Sequence, residues 1–107
     1  MTEPIRIHDH GATHSMTFYV GELEVDSVIQ AAGHEPNGYF WEGVAQLLAP
    51  SLMPRLELDS EGSMFCAVDA VTDLEQLRGV MQPMLTDPEA MDALMRTAET
   101  QGYEFDD

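Results

Sequence analysis

His8-x-His10-x-x-x-His14 is the only cluster of histidines in this chain, and histidines are suited to metal binding. On a strand, His8 and His10 would share a face, as two ligands of one ion must. Against that reading, His10-Gly11-Ala12-Thr13-His14 has the composition of a loop and no fourth ligand stands at a recognisable spacing. Asp59-x-Glu61-Gly62 starts like a calcium loop, but an EF-hand needs an acidic residue at its twelfth position and Ala70 stands there. Carboxylate pairs suited to general acid–base work carry little information when 20 of 107 residues are Asp or Glu. The lone cysteine, Cys66, lies in the most apolar stretch, residues 64–68, where a thiol packs as a small hydrophobe and desolvation opposes the thiolate. G-x-S-x-G, glycine-rich phosphate loops, CxxC and H-E-x-x-H are absent. The expectation is therefore no enzyme, no catalytic residue, no metal and no cofactor. The alternative is a small metal-dependent enzyme or other binding module built on His8, His10 and His14.

A binding role has better material. Asn37-Gly38-Tyr39-Phe40-Trp41-Glu42-Gly43-Val44-Ala45 places three consecutive aromatics, including the only tryptophan, at the start of a helical pattern. Successive helical positions point about 100° apart. If Phe40 and Val44 face the core, Tyr39 or Trp41 lies at the edge of that face or outside it. Glycine inside a helix is about 1 kcal/mol worse than alanine, so Gly43 predicts close approach of another element. One reading puts Trp41 in the core with Gly43 permitting its packing; the other makes the aromatic an anchor at an interface.

Electrostatics narrows the partners. The only cations are four arginines, and the formal charge is −16. Such a chain is repelled by phosphate backbones and anionic headgroups, which argues against direct nucleic-acid or membrane-surface binding and for a basic partner. The same charge opposes self-association at low salt, so a monomer or weak homodimer is expected. A hydrophobic fraction of 44% is too high for a disordered acidic tail, and the length suits one domain over residues 1–107. No apolar run is long enough to span a membrane, and the first 25 residues include Glu3, Asp9, Glu22 and Glu24 without an apolar leader core, which predicts a cytoplasmic protein.

The elements that must position these residues can be read from periodicity. Ile5-Arg6-Ile7-His8 and Met16-Thr17-Phe18-Tyr19-Val20 alternate as strands. Val25, Val28, Ile29 and Ala32 have helical spacing, with Gly33 where a C-terminal cap belongs. Phe40, Val44, Leu47 and Leu48 form a second helical face that stops before Pro50. Leu56-Glu57-Leu58-Asp59 and Met64-Phe65-Cys66-Ala67-Val68 flank the turn Ser60-Glu61-Gly62-Ser63, a hairpin whose second strand, apolar on both faces, belongs in the middle of a sheet. Thr72-Asp73-Leu74-Glu75 and Thr86-Asp87-Pro88-Glu89 have capping-box form and predict two more helices, with Leu74, Leu77, Met81 and Met84 on one stripe and Met91, Leu94, Met95 and Ala98 on the other. The methionines are expected to fill core gaps. The resulting fold class is α+β in ββααββαα order, with an antiparallel sheet of about four strands and helices packed on one face.

At Gly38-Tyr39-Phe40-Trp41-Glu42-Gly43-Val44-Ala45, and again from Leu58 through Gly62 to Ala67, the chain resembles the immunity protein 51 family of bacterial polymorphic-toxin systems. The shared pattern is a G-Y-x-W-E segment opening a helix, an acidic-glycine turn leading into a strand, and two further helices. Tyr39, Trp41 and Glu42 match the first motif; Asp59, Glu61 and Gly62 match the turn. The resemblance implies a small cytoplasmic protein that binds and neutralises a cognate protein toxin, and it implies no reaction. Combined with the acidity, it makes Tyr39, Trp41, Glu42, Asp59 and Glu61 the candidate toxin-binding residues, facing a toxin with a basic surface and acting by acidic mimicry of a nucleic-acid substrate.

Overall fold

A computed structural model describes residues 4–105. Alternation builds its first hairpin: β1 (Arg6–Asp9) runs antiparallel to β2 (His14–Tyr19), with Arg6 opposite Thr17 and Asp9 opposite His14. The Asp9 carboxylate accepts the Gly11 N–H at 2.8 Å, and Gly11 takes the φ of +87° that the tight connection requires. β2 starts at His14, two residues before the apolar alternation begins, so His14 belongs to the strand and not to the loop that was expected to hold it.

Helix α1 (Asp26–Ala31) ends at Gly33, whose positive φ fulfils the expected cap. Helix α2 (Gly38–Leu48) begins where the Asn37 side chain accepts the Phe40 N–H at 2.8 Å. A short 3-10 turn, Met53–Arg55, leads to β3 (Glu57–Leu58) and β4 (Met64–Asp69), and helices α3 (Val71–Thr86) and α4 (Pro88–Thr100) follow. The order is ββααββαα and the sheet order β1-β2-β4-β3, with every pair antiparallel. The fold is α+β, and β4 is an inner strand, as its apolar faces predicted.

Three further boundaries depart from the sequence reading. β3 is two residues long because the Ser60 hydroxyl, not a strand carbonyl, accepts the Cys66 N–H at 3.0 Å and interrupts the ladder. Neither capping box operates. β4 runs to Asp69, so α3 starts at once after Ala70 with no side-chain cap, and Thr72 falls inside its first turn. For α4 the cap is Asp87 rather than Thr86: its carboxylate accepts from Glu89 N and Ala90 N at 3.1 and 3.2 Å, which places Pro88 in the first turn.

Burial follows the strand alternation. Met16 and Phe18 of β2 and Phe65 and Ala67 of β4 point to the helices and are fully buried, together with Phe40, Trp41 and Val44 of α2 and Leu74, Leu77 and Met81 of α3. Phe18 stacks on Phe65 at 5.1 Å between ring centroids and meets the edge of Trp41 at 5.3 Å. Met84, Met91 and Met95 are buried as well, in keeping with gap-filling. The alternate positions of the inner strands, Ser15, Thr17 and Tyr19 on β2 and Met64, Cys66 and Val68 on β4, form the opposite face, where Tyr19 is 75% exposed. The helices therefore lie on one face of the sheet. Among the described residues, no helix is long and apolar enough to cross a membrane.

Candidate functional site: the acidic end of the sheet

The β3–β4 turn and the start of α2 are some twenty residues apart in the chain and adjoin in space. Glu61 and Met64 close the turn through Glu61 N to Met64 O at 2.8 Å and Met64 N to Glu61 O at 3.3 Å. Val20 N donates to Ser63 O at 3.0 Å from the end of β2, and Gly38 N donates to Gly62 O at 3.2 Å from the first residue of α2. Gly38 can come this close because it has no side chain: a Cβ there would overlap the carbonyl oxygens of Glu61 and Met64. The two motif segments thus form one end of the molecule.

The candidate residues divide on burial. Asp59, Glu61 and Tyr39 are exposed and Glu42 is half-buried, while Trp41 is fully buried. The edge-or-outside position required by helical geometry is taken by Tyr39. Trp41 therefore does not present itself as a surface anchor; it packs between Phe18 and Phe40 and holds α2 on the sheet. Gly43 meets the close approach expected of it from the C-terminal segment. A Cβ on Gly43 would lie 2.6 Å from Phe105 Cδ1, and Phe105 stacks on Phe40 at 4.6 Å.

The electrostatics of this end can be sensed at Cys66. Its thiol is pushed above the ordinary range first by burial, then by the negative charges of Asp59, Glu42 and Glu61. All three candidate carboxylates thus act on one point, where the thiolate is disfavoured. Three of the four arginines are engaged away from this end, Arg55 with Asp73, Arg78 with Glu75 and Arg96 with Asp92. The fourth, Arg6, lies on β1 across the sheet.

The histidines separate. Strand alternation turns His14 to the helix side, 3.6 Å from the Asp9 carboxylate, while His8 and His10 lie over the open face against Thr17 Oγ1 at 3.1 Å and Ser15 Oγ at 2.8 Å. Among the described residues, no group of three or more His, Cys, Asp or Glu side chains gathers to hold a metal ion. A cavity of about 680 Å³ between Gly33, His34, α4 and residues 103–105 carries both signs of charge, with Arg96 paired to Asp92 inside it.

At the other end of β4, Asp69 has one buried carboxylate oxygen without a hydrogen-bond partner. Burial raises its pKa above the usual range, opposed by the Ala70 N–H, and the neighbouring Asp73 carboxyl raises it further. A raised folded-state pKa means that the native state binds the proton more tightly than the unfolded chain, so the contribution is most favourable at low pH and is lost as the pH rises through the folded value. Asp69→Asn is expected to melt higher than wild type at pH 7, with the gap narrowing as the pH falls through the raised folded-state value and closing below the ordinary aspartate value of about 4, where both states are protonated. Thermal melts across that window check it; a variant that melts lower at neutral pH would show that the charge is stabilising.

Tyr19 was not singled out by sequence reasoning. It pairs with Met64 beside the turn and is the most exposed large hydrophobic among the described residues. The signal was present in the alternation, since Tyr19 has the parity of Thr17 and not that of Met16 and Phe18.

No curated protein and no solved structure matches the chain. The family model described as Immunity protein 51 matches residues 5–100, from the residue before β1 to the end of α4. That span takes in the sheet, all four helices and both segments that meet at the acidic end, and the chain belongs to the immunity protein 51 family.

Proposed function

We propose that this protein acts as a single domain in the bacterial cytoplasm, binds a cognate polymorphic toxin through the acidic end, and blocks the toxin's working surface. Membership of an immunity family supports a toxin partner and an inhibitor rather than an enzyme. The observation that carries the finer reading is the junction of α2 with the β3–β4 turn, which brings Tyr39, Glu42, Asp59 and Glu61 to one end. Carboxylates on a helix and a tight turn complement arginine and lysine side chains that would otherwise hold phosphate, and so mimic a nucleic-acid substrate without binding nucleic acid. Tyr39 supplies the aromatic contact that rim charges alone lack.

The test is a binding titration with the toxin encoded beside this chain. Glu42→Lys, and the double change Asp59→Lys with Glu61→Lys, are each expected to weaken binding about tenfold or more, mainly through slower association that depends steeply on salt. Folded variants that bind and protect cells as well as wild type would place the interface elsewhere.

A further inference from the structure

The face of the sheet away from the helices has a charge pattern unlike the rest of the molecule. In a chain of net charge −16, its β1 edge carries Arg6 and His8, its β3 edge carries Glu57 and Asp59, and the strands between present no charged side chain. Cross-strand pairing orders these residues in rows. One row reads His8, Ser15, Val68, Glu57. The next reads Arg6, Thr17, Cys66, Asp59, its last member fixed by Asp59 N donating to Cys66 O at 2.9 Å. The third holds Tyr19 and Met64 and ends at Glu61. The edge residues are exposed, whereas the middle of the first two rows is small and half-buried or buried, with the His8 and His10 rings resting against Thr17 and Ser15.

We infer that a second copy of this chain docks on this open face. A two-fold axis along the strands, between β2 and β4, lays β1 of one copy over β3 of the other and keeps each row in register with itself. Arg6 then faces the other copy's Asp59, His8 faces Glu57, and Tyr19 lies against Met64, an aromatic–sulfur contact. Each pairing occurs twice. With the other three arginines already paired to carboxylates, this face is the one whose edges carry opposite charge, and it is self-complementary. The strands and their spacing give about 400 Å² per copy, roughly half of what a standard interface buries on each side, so the dimer is weak. The inference rests on the sheet and not on the toxin reading.

The experiment is sedimentation equilibrium of the full chain from micromolar to millimolar concentration at physiological salt, on variants whose circular dichroism and melting match wild type. Wild type is expected to show a reversible monomer–dimer equilibrium. Arg6→Glu and Asp59→Arg, each alone, set like charges against one another twice per dimer and should weaken it about tenfold or more. In a mixed dimer of the two variants one contact keeps the native Arg6–Asp59 pair and the other carries the same pair with its charges reversed, so both contacts are again of opposite charge and the mixture should form a dimer tighter than either variant alone. A wild type that stays monomeric throughout, single variants that dimerise like wild type, or a mixture no tighter than its components would each overturn the inference. The experiment contains no toxin, so its failure leaves the proposed toxin-binding role untouched.

Discussion

Gly38→Ala is expected to destabilise the protein by about 2–3 kcal/mol, because the added methyl meets backbone rather than a side chain that can turn away. Its position overlaps the carbonyl oxygens of Glu61 and Met64, and the same glycine donates its N–H to Gly62 O. Relieving the clash means lifting α2 off the turn, which loosens Phe40 and Trp41, both fully buried. For a chain of about 100 residues that corresponds to a drop in Tm of about 10–20 °C. Gly79 supplies the control. It lies on the exposed side of α3, where an added methyl would meet nothing within 4 Å, so alanine there should raise stability by up to about 1 kcal/mol through helix propensity alone. Thermal melts of the two variants should move in opposite directions. If Gly38→Ala melts with wild type, α2 does not rest on the turn, and the acidic end loses its geometric basis.

Much of the fold was legible because its periodicities are local. Alternation in β2, helical spacing in α2 and the stripes of α3 and α4 each report which face is buried, and Met16, Phe18, Phe40, Val44, Leu74, Leu77, Met81 and Met91 are buried accordingly. Helix starts were less legible. Thr72 and Thr86 have the right neighbours for capping boxes, but the true start is set by where the preceding element releases the chain, at Asp69 for α3 and at the end of α3 for α4. α3 also continues through Pro83, although proline inside a helix removes a hydrogen bond and usually kinks or ends it. The site was half legible. Two motifs could be recognised separately, yet nothing local in the sequence says that Gly38 docks on the turn, or that the approach expected at Gly43 comes from Phe105 far along the chain. Such contacts depend on the complete packing. An open face follows from the expected packing of helices on one side of the sheet, but its rows of charge were not legible, because they depend on strand order and register.

The aromatic motif can be divided experimentally between fold and binding. Trp41→Ala is expected to cost about 3–5 kcal/mol, a large part of the roughly 5–15 kcal/mol that typically holds a domain together. Trp41 is fully buried against Phe18 and Phe40, and removing it opens a cavity at the contact between helix and sheet. Trp41→Phe should be much milder. It keeps a ring in the same place and removes the indole N–H, which is buried without an acceptor and is itself unfavourable by about 1–3 kcal/mol. Tyr39, two residues away, is 42% exposed, so Tyr39→Ala should change stability by no more than about 0.5 kcal/mol. Its effect should appear instead in toxin binding, where a central aromatic anchor contributes about 2 kcal/mol or more. Denaturant unfolding of the three variants, followed by toxin titration of those that remain folded, separates the two roles. A destabilised Tyr39→Ala variant, or a Trp41→Ala variant as stable as wild type, would reverse the assignment and make Trp41, not Tyr39, the residue that meets the toxin.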